Sequence, residues 1–194
     1  MPVYNLNTPY RHLYTAGVII IGLTLPVFMA SNIQASQPQQ SQWSKTETRV
    51  NQVLPDDGTP LIIAVRDGDE SRVQALLRHG ADVNLASLGD GNPLIVAASQ
   101  GNTALARLLI EYGADVNSIV PGDETPLINA ARASHIEMVR YLIDQGADVN
   151  LGVNADTLRG KAWRTPLNQA ARPDIRELLR QHGASDDAKS EGYQ

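Results

Sequence analysis

The sequence predicts an all-α fold, a solenoid of about four helix-pair repeats with projecting β-hairpin loops. One observation is that Pro60, Pro93 and Pro126 lie 33 residues apart, each followed by Leu. A second is that the string Gly-Ala-Asp-Val-Asn recurs at the same spacing. It begins at Gly80, Gly113 and Gly146. A fixed period of this length indicates stacked supersecondary units, each of which buries its apolar face against its neighbours.

Each unit carries its own helix signals. A Thr or Asn precedes the proline of the first helix, so its side-chain oxygen can cap a helix whose first residue lacks an N–H. A second apolar segment follows and ends at glycine, the residue that favours a helix C-terminus. The four repeats are predicted at 57–84, 90–117, 123–150 and 164–185, which together form one domain over 57–185.

The connections between repeats differ from one another. The linking segments contain turn signals, Gly89-Asp90-Gly91 and Pro121-Gly122-Asp123, that are typical of a hairpin. The connector 151–164 is about seven residues longer than its counterparts, and the fourth repeat is shortened. Ser134 stands where the first two repeats have Gly68 and Gly101, which predicts a strained left-handed residue there.

The period, the Thr-Pro-Leu start, the paired alanines and Gly-Ala-Asp-Val-Asn resemble the ankyrin repeat. The resemblance implies a non-catalytic protein-binding module. It also implies a contact surface made of the hairpin tips, the concave face of the first helices and the residue before each terminal glycine. By position, the implied contact residues are Leu88, Tyr112, Pro121, Glu124, Arg132, Gln145, Trp163, Arg164 and Arg172.

A weaker resemblance concerns two strings, Gly-Asp-Gly-Asn-Pro-Leu-Ile and the run from Val120 to Arg132. They are similar to ankyrin tails attached to bacterial membrane metallopeptidases of the antibiotic-sensor type. The catalytic His-Glu-x-x-His motif of such an enzyme is absent from this sequence.

The N-terminal part has a different composition. Residues 13–30 carry no charge and follow Arg11, a pattern that predicts a signal peptide cleaved after Ala35 or an uncleaved membrane anchor, over 1–35. In both cases the rest of the chain is exported, either into the periplasm or facing it from the inner membrane. A Gln/Ser-rich linker is predicted at 36–56 and a flexible tail at 186–194.

Composition and motifs argue against catalysis, metal binding and nucleic-acid binding. The net charge of −5 disfavours binding to nucleic acid or to anionic lipid. The absence of cysteine excludes thiolate metal sites and cysteine nucleophiles. No nucleotide-binding or hydrolase motif occurs. The recurring Asp82, Asp115 and Asp148 are expected to accept bonds from local backbone N–H groups. We therefore predict no catalytic residue, no metal ligand and no cofactor.

Charge is uneven along the repeats. Residues 82–125 hold six acids and one base, while 159–180 hold six bases and two acids. These patches fit either partner docking or a solvated terminal repeat.

The predicted function is a non-catalytic protein–protein interaction module of the bacterial envelope, with membrane contact only through 13–30 if they are uncleaved. The alternative is a regulator, or an immunity or inhibitor protein, for an envelope peptidase, stress enzyme or exported toxin. Within the connector 151–164, Trp163 either docks the partner or fills the gap left by the shortened repeat. Tyr112 either contacts the partner or packs along its own helix.

Overall fold

The structure is a computed structural model that describes residues 49–54, 58–157 and 160–186. Contacts divide the chain between Gln37 and Pro38, and all of the described residues fall in the second unit, Pro38–Gln194. The predicted signal segment, most of the predicted linker and nearly all of the predicted tail lie outside the described residues.

Four helix pairs follow one another along the described chain. They are α1 Pro60–Arg66 with α2 Glu70–Arg78, α3 Pro93–Gln100 with α4 Thr103–Glu111, α5 Pro126–Arg132 with α6 Ile136–Asp144, and α7 Pro166–Gln169 with α8 Pro173–Gln181. Between the third and fourth pairs, β1 Val153–Thr157 and β2 Gly160–Arg164 form an antiparallel hairpin. The predicted helix-pair repeats with hairpins are confirmed.

The first helix of each pair begins as predicted. In α1, the backbone N–H of Ile62 donates to Thr59 Oγ1 at 3.1 Å, and Pro60 is the first helical residue. In α7, the side chains of Thr165 and Asn168 each accept from the other's backbone N–H, at 3.2 and 3.0 Å. These caps fix where each repeat starts, because they satisfy donors that an α-helix leaves unbonded at its N-terminus.

The core runs along the stack rather than sitting at one centre. The first helices pack side by side in the order α1, α3, α5, α7, while α4, α6 and α8 pack in a second row. Alanines at the inner contacts are fully buried and let the first helices approach closely. They are Ala97, Ala98, Ala130 and Ala131.

An asparagine ladder joins successive repeats. Asn117 donates through Nδ2 to the Gly146 carbonyl at 3.2 Å and accepts at Oδ1 from the Asp148 backbone N–H at 2.8 Å. Asn84 and Asn150 make the equivalent bonds one repeat earlier and one later. The recurring aspartates accept from the N–H two residues on, as predicted, at 2.8–2.9 Å.

The ladder begins earlier than the sequence predicted. Asn51 donates to the Gly80 carbonyl at 3.3 Å and accepts from the Asp82 N–H at 2.7 Å, as Asn84 does one repeat on. Leu54 pairs with Gly58 in the same way that Ser87 pairs with Gly91. Residues 49–54 therefore belong to the stack, and the predicted linker 36–56 was too long at its C-terminal end.

The turn between helices is left-handed in the repeats that have glycine and in the one that has serine. Ser134 has φ 67°, beside 73° at Gly68 and 71° at Gly101, so its predicted left-handed conformation is confirmed. The next residue, His135, places Nε2 3.0 Å from the Ser99 carbonyl oxygen of the preceding repeat. This contact links two helix turns of adjacent repeats.

No helix among the described residues is long and apolar enough to cross a membrane. The segment 13–30, on which the prediction of a signal or anchor rests, lies outside the described residues.

Candidate protein-binding surface

Short hairpins connect the repeats and are equivalent along the chain. Ser87 pairs with Gly91, and Val120 with Glu124, as isolated antiparallel bridges. The Ser87 N–H donates to the Gly91 carbonyl at 2.9 Å, and the Val120 N–H donates to the Glu124 carbonyl at 3.2 Å. The tips between these residues are therefore held by backbone hydrogen bonds.

Large apolar side chains are exposed on these hairpins. Leu88 is 91% exposed at its tip, and Val53 and Ile119 are 47% and 38% exposed. Val53 and Leu88 line an open groove of about 550 Å³, together with Leu54, Ala86, Ser87, Gly89 and Asp90. Exposed apolar side chains on a rigid support are a feature of protein-binding surfaces.

Pro121 is also exposed, and it is equivalent to Leu88 on the next hairpin. Tyr112 and Gln145 occupy a different place, since each is the C-terminal cap residue of a second helix, α4 and α6. Tyr112 is 44% exposed and Gln145 is exposed. Tyr112 therefore presents part of its ring to solvent.

Glu124 does not lie at an exposed tip, contrary to the expectation from its position. It is 3% exposed and has φ 68°. Its carboxylate accepts from Arg132 Nη1 at 3.0 Å and from Arg164 Nη1. The left-handed backbone turns the side chain inward, where two guanidinium groups compensate a buried charge. Glu124 is therefore buried and holds Arg132 and Arg164, instead of presenting its own side chain at the surface.

Arg132 and Arg164 are brought together by this carboxylate. Their side chains keep 42% and 28% of their area exposed while they bind it. Arg132 also donates through Nη2 to Asn129 Oδ1 at 2.6 Å. Both arginines thus retain an exposed portion in a fixed orientation, which suits a contact surface.

Two aspartates at equivalent places on adjacent hairpins add negative charge nearby. Asp90 binds Arg66 of α1 at 2.5 Å, from Oδ1 to Nη2. Burial raises the pKa of Asp123 above its ordinary value, and the negative charges of Asp90 and Glu124 raise it further. Hydrogen bonds from the backbone N–H groups of Gly91 and Gly89 lower this pKa, but they only partly offset the increase. One carboxylate oxygen of Asp123 is buried without a hydrogen-bond partner.

Trp163 lies on β2 opposite Asn154 and is half-buried. A Cβ atom on Gly152 would come within 2.4 Å of the Trp163 ring, so the ring lies directly against this glycine. The Trp163 carbonyl accepts from Asn168 Nδ2 at 3.0 Å. The ring therefore packs on its own connector and also keeps an accessible part.

Arg172 is placed apart from the hairpins. It precedes α8 and binds Asp174 through two bonds, Nε to Oδ1 at 3.0 Å and Nη2 to Oδ2 at 2.5 Å. Bonding to Arg172 lowers the pKa of Asp174 below its ordinary value. Arg172 is exposed, but its guanidinium group is already bound to Asp174.

Sequence reasoning missed Val53 and Ile119 as exposed surface residues. The 33-residue register aligns both with Ala86, which places them next to the hairpins but does not give their exposure. The inward turn of Glu124 has a clearer signal, since the register aligns it with Gly58 and Gly91. A position that is glycine in sister repeats indicates a left-handed backbone.

Among the described residues, no group of three or more His, Asp or Glu side chains is arranged to hold a metal ion. A protein-family model described as ankyrin repeats (3 copies) matches residues 37–120 and 120–190. No curated protein matches the chain. With four helix pairs in register and a match over most of its length, the chain belongs to the ankyrin repeat family, whose repeats are generally protein–protein interaction modules and typically non-catalytic.

Proposed function

We propose that this chain works in the bacterial envelope as a non-catalytic interaction module. It binds a partner protein through its hairpin tips and the concave face of the first helices. The observation that carries the proposal is Leu88, a large apolar side chain 91% exposed on a hydrogen-bonded hairpin. A soluble domain gains nothing for its own stability from such a side chain, whereas a partner gains the free energy of burying it.

The surface around Leu88 supports the same proposal. Val53 is an exposed apolar side chain at the preceding hairpin, and Ile119 is one at the following hairpin. The exposed parts of Arg132 and Arg164 lie at the Glu124 carboxylate, near the end of the hairpin series. Exposed apolar side chains and partly exposed arginines are residue types that are enriched in protein interfaces.

The proposed location rests on residues 13–30, an uncharged apolar run behind Arg11. A phosphatase that is active only outside the cytoplasm, fused after residue 60, is expected to be active. A stable but inactive fusion would contradict export. The mass of the mature chain then distinguishes cleavage after Ala35 from retention as an anchor.

Site-specific photocrosslinking in cells of the source organism tests the binding surface. A photoreactive amino acid at Leu88 is expected to give one discrete adduct with another protein. The control position is Glu137, an exposed residue on the second-row helix α6. Equal adducts from both positions, or adducts from Glu137 alone, would place the contact elsewhere.

The cross-linked protein also separates the candidate roles. A peptidase or stress enzyme whose activity changes with this chain bound would identify a regulator. An exported toxin that is silenced in a one-to-one complex would identify an immunity protein. If the cross-linked protein is a structural component of the envelope, the result supports the general binding role and neither of the two specific ones.

A further inference from the structure

The N-terminal face of the first repeat is less covered than the same face of later repeats. Leu76 in α2 is only partly buried. Its equivalents, each four residues before the glycine that ends the second helix, are 0% exposed. They are Leu109, Leu142 and Leu179. The described residues leave Leu76 without the packing that a preceding repeat supplies elsewhere.

Other positions on this face show the same difference. Ile63 in α1 is partly exposed, while its equivalent Val96 is 8% exposed. Ala81 is partly exposed, while Ala114 and Ala147 are each 8% exposed. The face as a whole therefore lacks a cover among the described residues, and an uncovered terminal face is unfavourable in a repeat stack.

The asparagine ladder shows which part of the chain is in register to cover it. Asn51 makes the same two bonds to the first repeat that Asn84 makes to the second. The repeat register therefore extends N-terminally to Asn51 at least. Residue 43, eight positions before Asn51, is equivalent to Leu76, which is eight positions before Asn84.

Residue 43 is a tryptophan in an otherwise polar segment. Between residues 36 and 48 the side chains are Ser, Gln, Thr, Lys, Glu and Pro, with Trp43 as the single large apolar one. It occupies the register position at which the later repeats have the fully buried Leu109, Leu142 and Leu179. The family match, which begins at residue 37, includes this segment.

We propose that residues 38–48 form an N-terminal cap of the stack, in which the Trp43 side chain covers Leu76. The cap is part of this chain rather than a partner or a second copy. It takes the place of the second helix of a preceding repeat, anchored through Asn51. The polar side chains around Trp43 give the outer surface that a terminal repeat needs for solubility.

Fluorescence of Trp43 tests its burial in the full chain. Trp163→Phe leaves Trp43 as the sole tryptophan, since the sequence contains two. Its emission is expected to shift to longer wavelength on unfolding, and its quenching by acrylamide to be several-fold weaker in the folded chain. Both results should be independent of protein concentration. Emission that is unchanged on unfolding, or protection that appears only at high concentration, would overturn the proposal.

A double-mutant cycle tests the contact itself and keeps Trp163 in place. Trp43→Ala and Leu76→Ala are each expected to lower Tm by about 4 °C, the shift that a loss of about 1 kcal/mol produces in a domain of this size. The double variant should lose clearly less than the sum, because the two side chains share one contact. The control pair, Trp43→Ala with Leu179→Ala at the far end, should be additive. Additivity in both pairs would overturn the proposal.

Discussion

Glu124 and Arg164 form an ion pair that joins the hairpin closed by Val120 and Glu124 to the last residue of β2, 40 residues further along the chain. The same carboxylate binds Arg132 of α5, so it links two hairpins and one helix. The carboxylate is 2% exposed, and removal of either arginine leaves it less compensated. This arrangement orders two arginines before any partner arrives, which lowers the entropy lost on binding.

Two substitutions at Glu124 separate the effect of its charge on stability from the effect of its left-handed backbone conformation. Glu124→Ala is expected to lower the free energy of unfolding by about 2–3 kcal/mol through loss of the ion pairs, while the strain of a left-handed non-glycine residue stays as it is in the unaltered chain. Glu124→Gly loses the same charge but relieves the backbone, so it should be more stable than Glu124→Ala by about 1 kcal/mol. Urea unfolding measures both. Equal stability of the two variants would show that φ 68° is not strained.

Gly101 and Gly68 form a matched pair for the contact with His135. Both have positive φ, but a Cβ on Gly101 would lie 2.6 Å from the His135 ring, while nothing lies within 4 Å at Gly68. Gly68→Ala should cost about 1 kcal/mol from backbone strain alone. Gly101→Ala should cost a further 1–2 kcal/mol or so, because the ring has to move.

The His135→Ala background provides the control. There, thermal unfolding is expected to show Gly101→Ala and Gly68→Ala with similar losses. A penalty at Gly101 that persists without the imidazole would assign the effect to something other than this contact.

Ser134→Gly is expected to stabilise the chain. Ser134 holds φ 67° where two sister repeats have glycine, and relief of that strain should raise the free energy of unfolding by roughly 0.5–1 kcal/mol. The neighbouring Ala133 has φ −76°, so Ala133→Gly should instead lower it by about as much. Calorimetry of the two variants decides, and a destabilised Ser134→Gly would mean that the serine side chain contributes more than its backbone costs.

Trp163→Ala separates packing from docking. Since the ring lies against Gly152 and is half-buried, its truncation should lower the free energy of unfolding by about 2 kcal/mol, less than a full core aromatic. If the accessible part also docks the partner, affinity falls by a similar amount in protein that is still folded. A loss of stability with affinity unchanged would leave Trp163 as a packing residue only.

Much of the fold could be predicted because the 33-residue register repeats physical requirements. A capping side chain before proline and a glycine after the second helix are local signals, and Thr59 and Gly80 occupy those positions as expected. The N-terminal end of the stack was harder to predict. Asn51 is one residue of a degenerate copy, and its role depends on bonds to Gly80 and Asp82, about 30 residues away.

The candidate surface was predicted less well than the fold. Position along a hairpin correctly placed Leu88 and Pro121 at exposed tips. It gave the wrong exposure for Glu124, because the direction of a side chain depends on φ, and on two arginines, one eight and one 40 residues further on. Such a pairing across repeats has no local signature in the sequence.

The affinity of the purified chain for the protein cross-linked at Leu88 tests the binding surface most directly. Leu88→Asp puts a charge at the centre of the proposed contact without touching the core, since Leu88 is 91% exposed. Titration calorimetry is expected to show a Kd at least about tenfold higher, a loss of about 1.4 kcal/mol, with Tm unchanged. Glu137→Lys, on the second-row helix α6, should bind like the unaltered chain. A Kd that is unchanged by Leu88→Asp and raised by Glu137→Lys would contradict binding through the hairpin tips.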